Sequence, residues 1–257
     1  MILAIDIGNT NIVVGGYDGD RLAFSVRLST DATRTAHEYA ATLGGVLGLY
    51  QVDLGAVTGA IVSSVVPPLS GALCQAVALL CPGVEPLLVG AGMRTGLNIR
   101  IDNPKELGAD LLAASVGAMV KYPLPAIVID LGTATKIMVV DENRSFLGGS
   151  IMAGVMISLR ALSSDTAQLP HISLDSPARQ VIGTNTIDCM KSGTILGAAS
   201  MLDGMIQRYQ EALGKDATVV ACGGLAPAIV PYCRTPILRD DSLVLDGLLA
   251  LYRKNEK

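Results

Sequence analysis

The sequence predicts an α/β protein of two similar lobes, because one strand-and-turn motif occurs twice, about half a chain apart. Ala4-Ile5-Asp6-Ile7-Gly8-Asn9-Thr10-Asn11 has a near-copy in Ile129-Asp130-Leu131-Gly132-Thr133-Ala134-Thr135. In each copy an apolar strand ends in Asp-x-Gly, where the glycine lets the backbone approach a ligand. The N–H and hydroxyl groups that follow are donors for an anion. The repeat therefore predicts a duplicated fold with a central cleft that holds a polyphosphate.

The first half is predicted to be a three-stranded meander followed by alternating helices and strands. Apolar spacing indicates the helices, and β-branched runs bounded by Gly and Asp indicate the strands. Thr35 with Glu38 three residues later is a possible capping box, and Pro104 opens a helix at a position where its missing N–H costs nothing. The predicted strands are 2–7, 11–17, 22–29, 57–65 and 86–89, and the predicted helices are 36–50, 68–81 and 104–120.

The second half repeats that order. Strands are predicted at 126–131, 136–141, 145–152 and 217–222, and helices at 155–164, 186–213, 225–233 and 242–253. Two prolines between residues 121 and 125 interrupt the chain, so we expect one lobe over 1–121 and the other over 122–257.

Composition argues against several classes of protein. A net charge of −4 disfavours a general nucleic-acid binder, and no apolar run approaches the ~20 residues of a membrane span. The chain enters a strand directly after Met1, without the features of a signal peptide. Five cysteines form no Cys-x-x-Cys pair, so we expect buried free thiols in a reducing cytoplasm.

The common nucleotide-binding motifs are absent. The sequence has no Gly-x-x-x-x-Gly-Lys-Ser/Thr loop, no Gly-x-Gly-x-x-Gly fingerprint and no metal-binding cluster of His and Cys. Its two histidines, His37 and His171, are too few for a histidine-centred site. If this chain binds nucleotides, the two aspartate turns must do it.

A third element precedes the second lobe, on the predicted helix at 104–120: Asp102-Asn103-Pro104-Lys105-Glu106-Leu107-Gly108-Ala109-Asp110. With the two turns it strongly resembles the type III pantothenate kinases, which belong to the superfamily of acetate kinases, sugar kinases, heat-shock chaperones and actin. The resemblance covers essentially the whole chain. Further matching stretches are 63–68, 146–149, 182–186, 191–193 and 222–226. It implies a duplicated actin-like (ribonuclease H-like) fold with two lobes and a central cleft.

The resemblance implies ATP as phosphoryl donor and pantothenate as acceptor. Asp110 would accept the proton of the acceptor hydroxyl, Asp6 would hold Mg²⁺, and Asp130 matches a position that binds an activating K⁺ or NH₄⁺. The residues that would contact ATP are Asp6, Ile7, Gly8, Asn9, Thr10, Asn11, Thr133, Gly223 and Gly224. The residues that would contact the acceptor are Gly108, Ala109, Asp110, Leu111 and Thr186. Thr186 matches a contact from the neighbouring subunit, which implies a homodimer.

Burial favours a functional role for the three aspartates. An unpaired carboxylate buried at the end of an apolar strand costs several kcal/mol, so Asp6 and Asp130 are expected to bind a partner. Asp110 stands among leucines, a poor place for a merely solvated charge. Two other candidates have structural alternatives: Thr186 as the N-cap of the following helix, and Gly223-Gly224 as a tight strand-to-helix turn.

Three positions depart from the family pattern. Leu111 replaces an arginine and Ile101 a tyrosine, both at the acceptor site, and Lys136 stands where the family carries a threonine. Loss of a guanidinium that pairs with a carboxylate predicts weaker acceptor binding. The ammonium of Lys136 either replaces the monovalent ion at Asp130 or extends to solvent.

Two classes of function stay open at the level of sequence. Phosphorylation of pantothenate, the first step of coenzyme A synthesis, is favoured because a protein that only binds has no need of Asp110. The alternative is a nucleotide-binding regulatory or structural dimer with weak or altered acceptor use. A general sugar kinase fits less well, since the Gly-Ala-Asp element and the short chain match the pantothenate family specifically.

Overall fold

The computed structural model describes residues 1–166, 168–174, 176 and 180–256, and the chain divides into two compact units. The first unit comprises Met1–Leu97, Asp102–Val120 and Ser242–Lys257, and the second comprises Asn98–Ile101 and Lys121–Asp241. The expected lobes, 1–121 and 122–257, differ from this division at two segments. The C-terminal helix packs with the first unit, and a short strand at residues 98–99 pairs within the second.

The helices and strands follow the expected order. In chain order they are β1 (Ile2–Ile7), β2 (Asn11–Asp18), β3 (Arg21–Ser29), α1 (Ala36–Leu49), β4 (Gly59–Ser64), α2 (Pro67–Leu80), β5 (Leu87–Leu88), β6 (Asn98–Ile99), α3 (Ala109–Lys121), β7 (Ala126–Leu131), β8 (Ala134–Val140), β9 (Ser145–Ala153), α4 (Val155–Ser164), α5 (Thr186–Leu213), β10 (Thr218–Cys222), α6 (Ala226–Ile229), β11 (Leu238–Arg239) and α7 (Leu243–Asn255).

The first unit contains one sheet in the order β3-β2-β1-β4-β5. β1 is antiparallel to β2 and parallel to β4, so a hairpin is followed by a helical crossover. Side chains alternate between the faces of a strand. Val14 therefore joins the core beneath α1 and α2, while Gly15 lies against Leu245 of α7. The sheet is thus covered by α1 and α2 on one face and by α7 on the other.

The second unit repeats this topology. Its sheet has the order β11-β10-β7-β8-β9-β6, in which β7 is antiparallel to β8 and parallel to β10, as β1 is to β2 and β4. α5 and α6 pack around a core that includes Ile129, Leu202 and Ala221. The duplicated α/β fold predicted from the repeated motif is confirmed.

Two glycines bring α3 against α7 in the first unit. A Cβ added to Gly117 would lie 2.2 Å from the carbonyl oxygen of Leu243, and one added to Gly247 would lie 1.9 Å from that of Ala113. Any side chain at either position would push the helices apart. The position of α3 relative to the sheet is therefore set through α7.

The helix starts show which signals in the sequence were informative. Thr35 and Glu38 form the expected capping box at the start of α1. α3 begins at Ala109 and not at Pro104, because Asn103 caps a separate 3₁₀ turn over Pro104–Glu106. The short strands β6 and β11 carry no pattern of their own and were not predicted.

The cysteines are all free, as expected, but they are not all buried. Cys81 and Cys222 are buried, whereas Cys189 is exposed. Burial raises the pKa of Cys81, and burial together with the nearby negative charge of Asp203 raises that of Cys233 to about 11. Within the ranges that the structure describes, no helix is both long enough and apolar enough to cross a membrane.

Candidate active site

The first aspartate turn joins β1 to β2. Asp6 is the penultimate residue of β1 and is half-buried, and the N–H of Gly8 donates to the carbonyl of Asn11 at 2.9 Å. A Cβ added to Gly8 would stand 3.1 Å from that same carbonyl oxygen. Thr30, which the sequence did not single out, holds the turn by donating from Oγ1 to the Gly8 carbonyl at 2.7 Å and from its N–H to the Thr10 carbonyl at 3.0 Å.

The predicted nucleotide contacts around this turn differ in accessibility. Asn9 and Thr10 are exposed, and Asn11 is half-buried as the first residue of β2. Ile7 has no exposed surface. This turn can therefore present backbone and polar side-chain donors beside a carboxylate, which suits a phosphate group with its metal ion.

Asp110 is the second residue of α3 and belongs to the same unit as Asp6. Its Oδ1 accepts a hydrogen bond from the N–H of Leu111 at 2.8 Å, which orients the carboxylate. A Cβ added to Gly108 would lie 2.7 Å from Oδ1, so a glycine is needed to admit this orientation. Gly108, Ala109 and Leu111, which were predicted to contact the acceptor, are all half-buried.

The second aspartate turn joins β7 to β8 and differs from the first in its charges. Asp130 stands opposite Lys136 in the register of the two strands, and Lys136 Nζ lies 3.0 Å from Asp130 Oδ2. The ammonium therefore does not extend to solvent. Thr133 is exposed at the tip of this turn. Gly154 packs closely against the Thr133 backbone, since a Cβ on Gly154 would lie 2.0 Å from the Thr133 carbonyl oxygen.

Gly223 and Gly224 follow β10 directly. Gly223 has φ +94°, and a Cβ on it would lie 2.6 Å from the carbonyl carbon of Leu131 and 2.7 Å from Asp130 Oδ1. The structural explanation for this glycine is therefore correct, because no other residue fits the turn. Gly224 is exposed and leaves a surface without a side chain.

Thr186 is the first residue of α5 and is exposed. It is not the N-cap, because the side chain of Asn185 accepts from the N–H of Asp188 at 2.9 Å. The structural alternative for Thr186 is therefore wrong. Between α4 and α5 lies a mostly apolar groove of about 570 Å³, lined in part by Leu162, Gly193 and Gly197.

Comparison with solved structures defines the class of protein. The chain resembles component A of (R)-2-hydroxyglutaryl-CoA dehydratase from Acidaminococcus fermentans, with TM-score 0.54, 17% identity and coverage of 98% of this chain and 96% of the other. It also resembles the ROK hexokinase from Thermus thermophilus, with TM-score 0.50, 16% identity and 97% coverage of each chain. At such identities the likeness concerns the fold, which is the actin-like α/β fold predicted above.

Comparison of sequences defines the family. The sequence model for type III pantothenate kinase matches residues 2–208. A type III pantothenate kinase from an Exiguobacterium species is 44% identical over 257 residues and covers 100% of both chains. One from Halalkalibacterium halodurans is 41% identical over 258 residues, covering 99% of this chain and 100% of the relative. The chain belongs to the type III pantothenate kinase family.

Proposed function

We propose that this protein is a kinase that transfers the γ-phosphoryl group of ATP to pantothenate, giving 4'-phosphopantothenate in the first step of coenzyme A biosynthesis. The observation that carries the proposal is membership of the type III family over the full length of the chain. Nothing in the comparisons supports the alternative of a regulatory or structural dimer. The use of ATP and the five free cysteines favour a cytoplasmic location.

Asp110 is the proposed catalytic base. As the primary hydroxyl of pantothenate attacks the γ-phosphorus, the bond from that phosphorus to the ADP oxygen breaks and the hydroxyl proton passes to the Asp110 carboxylate. The bond from Leu111 N–H to Oδ1 holds the carboxylate in place. The contact between α3 and α7 fixes the helix that carries this group.

Asp6 is the proposed ligand of Mg²⁺, either directly or through water. Among the described residues no three His, Cys, Asp or Glu side chains stand close enough to hold a metal on their own. This agrees with Mg²⁺, which is usually bound by one or two carboxylates together with waters and substrate phosphates. When bound, the ion would neutralise charge on the phosphates, which the turn from Gly8 to Asn11 and Thr133 would contact. Gly223 and Gly224 would lie at the adenine.

The proposed acceptor site has lost two polar groups. Leu111 directly follows the base, and Ile101 lies in the second unit, where its Cγ2 is 3.5 Å from the position of a Cβ on Gly148. Neither side chain can donate a hydrogen bond to the carboxylate of pantothenate. We therefore expect ordinary ATP binding and a high Michaelis constant for pantothenate.

We also propose a homodimer in which Thr186 contacts the acceptor bound to the neighbouring subunit. Three residues near the start of α5 expose large apolar side chains: Val181, Ile182 and Ile187. Gly193 and Gly197 line the adjacent groove, and a Cβ on either would meet nothing within 4 Å in the single chain. These features support close approach of another copy along α5.

Sedimentation tests the dimer. Gly197→Leu should give monomers because it adds a bulky side chain on the exposed surface proposed as the interface. Gly45→Leu, on an exposed helical glycine of α1 that is equally clear of other atoms, should leave the dimer intact. A fully active monomeric wild type at micromolar concentration would contradict the proposal.

The activity is tested by following ATP consumption against pantothenate, pantetheine, pantoate, glucose and gluconate, with the product identified by mass spectrometry. The proposal predicts turnover with pantothenate and a product heavier by one phosphoryl group. Turnover with a sugar alone would favour a general sugar kinase. ATP binding without turnover on any acceptor would favour the regulatory dimer.

A further inference from the structure

Lys136 and Asp130 form an ion pair inside the second aspartate turn. They are directly opposite in the β7–β8 register, so both side chains leave the sheet on the same face. Lys136 Nζ lies 3.0 Å from Asp130 Oδ2, and each side chain is only 19% exposed. At this burial the charge-assisted hydrogen bond is weakly screened by solvent salt.

Two glycines stand close to the other carboxylate oxygen of Asp130. A Cβ on Gly223 would lie 2.7 Å from Asp130 Oδ1, and one on Gly132 would lie 3.3 Å from the same oxygen. The second strand neighbour, Cys222, stands level with Asp130 in β10.

The monovalent cation that the family resemblance implies does not fit this arrangement. A K⁺ or NH₄⁺ ion at Asp130 would compete for a carboxylate whose Oδ2 already accepts from Lys136. The side chain of lysine ends in a substituted ammonium ion, which carries the same single positive charge and donates the same kind of hydrogen bond as NH₄⁺. The geometry points to Lys136 as a built-in substitute for that ion, so that this enzyme needs neither K⁺ nor NH₄⁺.

Covalent attachment explains why the Lys136 ammonium could take the place of a free cation. A free cation occupies its site according to its concentration, whereas a tethered ammonium experiences an effective concentration set by its short linker. The opposing register of β7 and β8 brings the lysine to the carboxylate without any further element. The charge beside the second turn is then present at every salt concentration.

The test compares wild type with Lys136→Thr and Lys136→Met in KCl, NH₄Cl and tetramethylammonium chloride of equal ionic strength. Melting temperature is the first measurement, because a cation that binds only the folded state stabilises it in proportion to RT ln(1 + [L]/Kd). This measurement does not depend on the proposed function. The rate of ATP-dependent phosphorylation is the second and rests on that function. Lys215→Thr is the matched control, since it removes an exposed lysine 2.7 Å from Glu142.

For wild type, and likewise for Lys215→Thr, we expect the melting temperature to be the same in all three salts. The phosphorylation rates of each protein in the three salts should agree within about twofold. Lys136→Thr should have a higher melting temperature in KCl or NH₄Cl than in tetramethylammonium chloride. Its phosphorylation rate should be about tenfold or more higher with either small cation than with tetramethylammonium. Lys136→Met keeps the apolar stem and should show the same cation response if the threonine variant does not fold. Strong K⁺ stimulation of wild type, or no cation-specific stabilisation of either folded variant, overturns the inference.

Discussion

The two aspartate turns share a backbone plan but differ in the residue that faces the carboxylate across the hairpin. Asp6 stands opposite Val13, whereas Asp130 stands opposite Lys136. The first hairpin therefore supplies no charge opposite its carboxylate, which suits a group that serves a divalent ion. The second hairpin supplies a cation itself. Under the roles proposed above, this single cross-strand position would decide whether a duplicated carboxylate recruits an ion or already carries one.

The largest effect is expected at Asp110, the proposed base in the first unit. Asp110→Asn keeps the size of the side chain and an oxygen for the Leu111 N–H, but it cannot accept the proton, so turnover should fall about 10²–10⁴-fold with ATP affinity unchanged. Steady-state kinetics and calorimetric titration of ATP measure the two quantities. Asp216→Asn, on an exposed carboxylate, is the control. More than about a tenth of wild-type turnover in Asp110→Asn would show that another group is the base.

Val13→Lys transfers the charge pattern of the second turn to the first. The new ammonium should pair with Asp6 and compete with Mg²⁺, weakening MgATP binding by about 1.5–3 kcal/mol, or about 10–150-fold. Calorimetry with MgATP measures the loss. Val13→Met, which has a similar stem without charge, should bind nearly as well as wild type. If Val13→Lys binds MgATP normally, the facing residue does not determine what the carboxylate does.

Leu111→Arg combined with Ile101→Tyr should restore the donors missing from the proposed acceptor site. The Michaelis constant for pantothenate should fall about tenfold or more, because a charged hydrogen bond is typically worth about 1.5–3 kcal/mol. The Michaelis constant for ATP serves as the internal control and should not change. A wild-type enzyme that already binds pantothenate tightly, with no gain in the double variant, would show that the two departures are harmless.

The smallest effect compares the equivalent glycines of the two turns. In Gly8→Ala the new methyl meets the carbonyl of Asn11, which is fixed by its bond from the Gly8 N–H, whereas in Gly132→Ala it meets the side chain of Asp130 at 3.3 Å. We expect Gly8→Ala to lower the free energy of unfolding by about 1 kcal/mol and Gly132→Ala to lower it by less. Urea unfolding measures both, and Gly45→Ala, with open space around it, should be neutral or stabilising. A larger loss in Gly132→Ala would mean that the Asp130 carboxylate cannot move.

The parts of the fold that the sequence predicted are those with a strong local pattern. β1 and β7 match their expected bounds because β-branched residues run up to Asp-x-Gly, and α5 matches because a cap and a left-handed Gly214 mark its ends. The two-residue strands β6 and β11 exist only through their neighbours, β9 and β10. No local signal could have shown them.

The candidate site was predictable to the extent that it consists of motifs. Asp6, Asp110 and Asp130 stood out as acids among apolar residues, whereas Thr30 and Gly154 act through backbone contacts that only the folded chain creates. The pairing of Lys136 with Asp130 depends on strand register, which follows from the length of the turn. The predicted start of β8 at residue 136 was two residues late. The sequence alone therefore left open whether the Lys136 ammonium reaches Asp130 or extends to solvent.

The division of the chain also bears on the order in which the protein can fold. The first unit is built from three separated stretches, and α7, which covers one face of its sheet, is synthesised after the whole main stretch of the second unit. A nascent chain leaving the ribosome therefore carries a sheet whose Gly15 face has no helix to cover it. The nearly continuous second unit can complete its core earlier, although it starts later. That face of the sheet therefore stays uncovered until α7 has been synthesised.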